Sequence, residues 1–351
     1  MSHFSKTAVA LALAAGLVAS AHAQTNLTAE TANNDGVPGN TILHLADVLS
    51  ERNVANLQVA SGQTLTNSIR NVAEGKSDVS AAPLILPFLL SRGVGPYAKL
   101  GKEKGAELAG NLRALYPYNV GGYNAFFYSN KGYQSWEDLR GKTIWNGPPR
   151  GAALTNARQA LQIAAGLEDG KDYKGVQQNW NQLDTTLVDG SVDAFVFPAT
   201  WLHPRIVTMT SAGKVTVLSI PKDKFESDLA KKIIGVPGNI PIVLDRADIP
   251  FPEEQLTLVS EDGKLRALGS AFAEVVNKSM SNELAKAITK AHIETLDKLK
   301  ARSKIMANVG LAEMDPVKSS FCGASPLKYH PGAVQAWAEA GIKVPDCAQA
   351  K

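Results

Sequence analysis

Leu57-Gln58-Val59-Ala60-Ser61-Gly62-Gln63-Thr64-Leu65-Thr66-Asn67-Ser68-Ile69 is the stretch whose reading decides the fold. Leu57 to Ala60 reads as a short strand and Ser61-Gly62-Gln63-Thr64 as its exit turn. Leu65, Ile69 and Val72 then recur at helical spacing until Gly75, and Ser77 to Ala81 gives a second strand. Such a strand, helix, strand unit brings its loops to one edge of a sheet. Just upstream, Ile42, Leu43, Leu45, Val48 and Leu49 have helical spacing behind Asn40, which reads as the cap.

The same alternation continues downstream. Tyr123 to Ser129 reads as an aromatic strand, Trp136 to Leu139 as a helical turn and Lys142 to Trp145 as a strand. The polar, Gly/Pro-rich loop Asn146 to Gly151 then opens a helix from Ala152 to Ala165. Val192 to Phe197 and Val215 to Ile220 read as further strands, and Pro237 to Pro252 as irregular. Leu265 to Asn277 and Glu283 to Lys300 read as amphipathic helices. The class expected is α/β, and 351 residues are enough for two core-bearing lobes.

With 44% hydrophobic and 20% charged residues, collagen-like, disordered and disulfide-scaffold classes are excluded. Lys plus Arg number 36 against 33 for Asp plus Glu, without a single-sign block, so no nucleic-acid partner is expected. Lys6 is the only charge in the first 23 residues and precedes an apolar run from Ala8 to Ala19 that ends in Ala21-His22-Ala23. This is the pattern of a secretory signal peptide over residues 1–23. The run is too short to span a bilayer, which needs about twenty residues, so an exported, non-membrane-spanning protein is expected. In an oxidising compartment Cys322 and Cys347 are expected to form a disulfide that staples the C-terminal tail.

No Gly-x-Ser-x-Gly, His-Glu-x-x-His, Cys-x-x-Cys or P-loop pattern occurs, and the six histidines lack metal spacing. The sequence therefore predicts no catalytic residue, no metal and no cofactor. Binding fits better. Three loops, 31–40, 61–67 and 145–152, place small or amide residues ahead of a helix, where unpaired N–H groups and the helix dipole favour an anion. A carboxylate gripped there is within reach of Asn33, Gln63, Thr64, Asn67, Gly151 and Ala152. Thr64 also reads as a simple helix cap. Arg150, in Pro148-Pro149-Arg150-Gly151, carries a fork-shaped guanidinium suited to a carboxylate; it also reads as a solvated loop arginine. Tyr123, Trp145, Trp180, Phe197 and Trp201 fall at or near strand ends, either as core or as the wall of a site for a ligand with an apolar or ring portion.

Taken together, these segments resemble the periplasmic solute-binding proteins of TRAP transporters, TAXI type. The resemblance is carried by Ser61-Gly62-Gln63-Thr64-Leu65-Thr66-Asn67, Gly75-Lys76-Ser77-Asp78, Leu115-Tyr116-Pro117, Asp138-Leu139-Arg140-Gly141-Lys142 and His330-Pro331-Gly332-Ala333. It implies a type II periplasmic-binding-protein fold: two α/β lobes joined by a hinge, with a ligand cleft between them. Lobe one is placed at 24–118 and 222–351, lobe two at 119–221. It also implies a periplasmic location, capture of a small-molecule carboxylate, an organic acid or amino acid, and delivery to TRAP membrane permease subunits. A ligand sensor, an ABC-importer receptor of the same fold and, less in keeping with the residues, a secreted enzyme are the alternatives. The sequence departs from the family at 147–153, where Gly-Pro-Pro-Arg-Gly-Ala-Ala replaces the usual Gly-x-x-Gly-Ser-Gly-Thr and its hydroxyls.

Overall fold

The computed structural model describes residues 25–350; the expected signal peptide lies outside the described residues. The chain opens with β1 (Thr25–Glu30), α1 (Val37–Glu51), β2 (Ala55–Ala60), α2 (Leu65–Ala73) and β3 (Val79–Pro83), then α3 (Ile85–Arg92) and α4 (Gly101–Ala109). A long strand, β4 (Leu112–Tyr128), leads to β5 (Thr143–Gly147), α5 (Ala152–Ala165), β6 (Lys174–Gln177), α6 (Trp180–Asp189), β7 (Ala194–Ala199) and α7 (Pro204–Ala212). After β8 (Val215–Leu218), α8 (Lys222–Phe225), α9 (Asp228–Ile234), β9 (Asn239–Asp245) and β10 (Leu256–Val259), a second long strand, β11 (Lys264–Asn277), returns. α10 (Asn282–Glu294), α11 (Leu296–Ala301), β12 (Lys328–Tyr329) and α12 (Pro331–Glu339) complete it.

The α/β expectation holds. The main sheet path runs β2-β1-β3-β11-β4-β7-β5-β6. It contains two parallel sets, β2-β1-β3 and β7-β5-β6, joined through antiparallel β4 and β11. Parallel sets carry their helix-opening loops at the carboxyl ends of the strands, which is where ligands bind in α/β sheets.

β4 and β11 are the crossing strands. Along β4, residues up to Val120 pack in one core cluster and residues from Tyr123 in two others. Gly121 sits at the changeover, where a Cβ would collide with the backbone of Ala199 on β7. Along β11, Leu265 and Leu268 belong to the middle clusters and Ala271 to Val276 to the first. The core therefore changes near 120–123 and near 268–271. After the expected return at 222 the chain serves both cores: Ala230, Ile233, Ile249 and Phe251 pack with the middle clusters, whereas Ile240, with Val236 and Ile242 beside it, packs with the first.

Three local expectations are corrected. Leu265 to Asn277 is a strand rather than a helix: flanked by β3, β4 and β9, it is buried on both faces and so lacks a strand's usual alternation. The segment 237–252 contains β9, paired with β11. Asn40 lies inside α1, whose cap is Gly36. Cys322 and Cys347 are joined as expected, with Cα atoms 5.4 Å apart. Among the described residues, no helix is long and apolar enough to cross a membrane and no His/Cys/Asp/Glu group could hold a metal ion.

Candidate binding cleft

A cavity of about 300 Å³ lies between the two halves, beside the crossing strands. Its first wall is built from the loops that follow β1 and β2. These loops are tied together, Gln63 N–H donating to the Thr31 carbonyl at 2.9 Å and Gly62 N–H to that of Ala32 at 3.1 Å. The helices they open, α1 and α2, have N-caps Gly36 and Thr64, and neither side chain makes a capping bond. From the other half comes α5, whose N-cap Gly151 also offers no side chain. Gly151 has φ +106°, and a Cβ there would approach Thr66 Oγ1 to 3.0 Å, so the N-termini of α2 and α5 adjoin. Three helix N-termini thus bring first-turn N–H groups without side-chain caps to one space, an arrangement that favours an anion.

The second wall carries charge and rings. α6 and α7 start here too, but their N-termini are satisfied: Asn179 and Gln182 form a capping box, and His203 Nδ1 accepts from the Arg205 N–H at 3.2 Å. Arg205 is only 7% exposed. Its Nε donates to Asp184 at 2.9 Å, and its guanidinium lies 5.1 Å from the Trp180 ring centroid. Asp35, from the first half, stands 3.5 Å from Nη2, which makes no hydrogen bond. Asn33 also reaches across, donating to Asn181 Oδ1 at 2.6 Å. Burial, then the Arg205 charge, lower the His203 pKa to about 4, so this histidine is neutral near pH 7. Arg150 is exposed at the cavity edge and has no carboxylate partner among the described residues.

Nine of the twelve residues singled out from the sequence line this cavity. From the first half come Asn33, Gln63 and Thr64; from the crossing and the second half come Tyr123, Arg150, Gly151, Ala152, Trp180 and Phe197. The other three do not. Asn67 is exposed on α2, and Thr66 lines the cavity instead. Trp145 is fully buried behind Trp180, with ring centroids 5.2 Å apart. Trp201 packs between Phe126 and Phe251 at 6.5 Å from each.

Sequence reasoning missed Asp35, Arg205 and Phe272, which also line the cavity. His203-Pro204-Arg205 carried a usable signal, since proline at a first helical position places the arginine at a helix start. Phe272 was hidden by the helical reading of β11.

A family model described as the NMT1-like family matches residues 28–341. No curated protein matches the chain. Among solved structures, the chain is similar to a protein of Bordetella bronchiseptica RB50 at 12% identity and TM-score 0.53, over 91% of this chain and 98% of that one. It is also similar to a TRAP periplasmic solute binding protein from Ralstonia eutropha H16 with bound (S)-2-acetolactate, at 14% identity and TM-score 0.47, over 92% and 86%. A third similarity, at 12% identity and TM-score 0.45 over 91% and 85%, is to a TRAP periplasmic solute binding protein from Desulfovibrio salexigens with bound orotic acid. The first of these likenesses, with the topology above, makes the fold mixed α/β and periplasmic-binding-protein-like.

Proposed function

Since the chain belongs to the NMT1-like family, we propose that it is the extracytoplasmic solute receptor of a TRAP transporter of TAXI type. In this reading it captures a small organic acid or amino acid and delivers it to membrane permease subunits. The observation that carries the proposal is the cavity itself, where uncapped N-termini of α1, α2 and α5 converge from both halves beside the unpaired Arg150. The first-turn N–H groups and the guanidinium supply donors to a carboxylate, and in this reading the ligand is bound and released unchanged.

The lobes of this reading divide where the core changes. One comprises 25–120 with 271–350, the other 123–268 except for the stretch around Ile240, which packs with the first, and β4 and β11 form the hinge. A ligand touching both lobes favours the closed arrangement by its extra contacts there. Residues 1–23 supply export to the periplasm.

A thermal-shift screen of organic acids and amino acids tests the proposal. A ligand present at a hundred times its Kd stabilises the protein by about 2.7 kcal/mol. Arg150→Ala is expected to remove most of that shift, since a hydrogen bond to a charged group contributes about 1.5–3 kcal/mol. If no acid raises the melting temperature, the receptor reading fails; if Arg150→Ala leaves the shift intact, Arg150 does not hold the ligand.

A further inference from the structure

Resting on that receptor reading, we propose that the cleft selects a monocarboxylate with an apolar or aromatic body, and that Asp35 is the residue that turns diacids away.

A diacid needs two cationic places. One exists where the N-termini of α2 and α5 adjoin next to Arg150. The second candidate is Arg205, the other arginine lining the cavity. Its guanidinium is already engaged: Nε by Asp184 at 2.9 Å, and the Nη2 side by the Asp35 carboxylate at 3.5 Å. One cation thus stands between two carboxylates, and the neutral His203 beside it adds no positive charge. A ligand carboxylate brought to Nη2 would lie against Asp35, and like charges so placed weaken binding steeply. Nη2 is nonetheless buried, makes no hydrogen bond and belongs to a residue that lines the cavity, so it would become an anion site if Asp35, its ion-pair partner, lost its charge.

The rest of the lining fits the same ligand. Leu86, Val120, Tyr123, Phe197 and Phe272 give the cavity an apolar side, with Trp180 beside Arg205. About 300 Å³ is at the lower end of the roughly 300–1,000 Å³ usual for ligand pockets, which suits one ring or a branched chain on a single acid group. Diacids would leave this apolar surface uncovered while placing their second charge beside Asp35.

The test is calorimetric titration of the purified protein with phenylpyruvate and 4-methyl-2-oxopentanoate against 2-oxoglutarate and glutarate. A monoacid is expected to bind at least about tenfold more tightly than either diacid, and Asp35→Asn to narrow that ratio by about tenfold or more by freeing Arg205. Asp35→Ser provides the same loss of charge if the first variant folds poorly, and the wild-type ratio stands without either. A diacid binding more tightly to the wild type, or a ratio unmoved in the variants, overturns the inference and leaves the receptor reading intact. If no acid binds, both fall.

Discussion

Two polar clusters in this molecule are built from similar groups and differ in one respect. On the inner face of the first half, Glu274 of β11 meets His292 Nδ1 of α10 at 2.9 Å, and both side chains are completely inaccessible. Tyr116 stacks on His292 at 3.8 Å, and His44 bonds Thr295 at 2.8 Å nearby. At the cavity, Arg205 is also buried, with 8% of its side chain exposed, but its partners Asp35 and Asp184 are open to water. In the first cluster everything is packed by the protein, so its groups act on stability. In the second the cation is held by the protein and one of its anions, Asp35, faces the space a ligand enters while Asp184 lies outside it, so its groups act on recognition.

The largest expected effect breaks the first cluster. Glu274→Ala removes the one side-chain hydrogen-bond partner that a buried histidine, His292, has among the described residues, and is expected to destabilise by about 3–5 kcal/mol in a urea titration. Glu274→Gln, which keeps an acceptor near His292 Nδ1, should cost clearly less. The relative affinities for mono- and diacids should not change in Glu274→Gln; if they do, the separation between the two clusters is wrong.

A smaller effect reads both clusters at once through pH. Burial, then the neighbouring His292 and Arg302 charges, hold the His44 pKa at about 4, as burial and Arg205 do for His203. In the unfolded chain both titrate near 6.5. The unfolded state therefore takes up these protons first. The stabilisation is complete above about pH 6.5, is lost as pH falls from there towards 4, and does not change further below. At about 1.4 kcal/mol per pKa unit, each histidine withdraws up to roughly 3 kcal/mol. Urea titrations between pH 7.5 and 4.5 should show the decline, and His44→Gln should reduce its slope. A bound monocarboxylate is expected to reduce the His203 share, because a nearby negative charge favours the protonated ring; it should leave the His44 share in place. A slope unaltered in His44→Gln would contradict the burial argument.

These contrasts also explain what the sequence could disclose. The first wall of the cleft was readable because each of its loops follows a strand and opens a helix, as at Ser61 to Leu65, a local pattern of turn and cap residues. Arg150 was visible for the same reason. β11 was not, because a strand covered on both faces loses its alternation, and Ala267, Ala271 and Ala273 suit a helix equally well in isolation. With β11 misread, Phe272 and Glu274 could be placed neither in the cleft nor in the core. Trp145 and Trp201 show the complementary error: a ring at a strand end lines a cavity only if the neighbouring layer is absent, and here Trp180 and Phe251 supply it. The pairing of Asp35 with Arg205 joins residues 170 positions apart, and such tertiary proximity has no local signature.

The smallest effect separates the two acids that flank Arg205. Asp184 is more than half exposed, so Asp184→Asn should change stability by no more than about 1 kcal/mol. It frees Nε, whereas Asp35→Asn frees the Nη2 side that faces the ligand space. The gain in diacid affinity should therefore be smaller in Asp184→Asn than in Asp35→Asn, with both variants as stable as the wild type within that margin. The reverse order, measured by the same titrations, would make Asp184 the group that discriminates. It would also place the second anion on the outer edge of α6 rather than against Asp35.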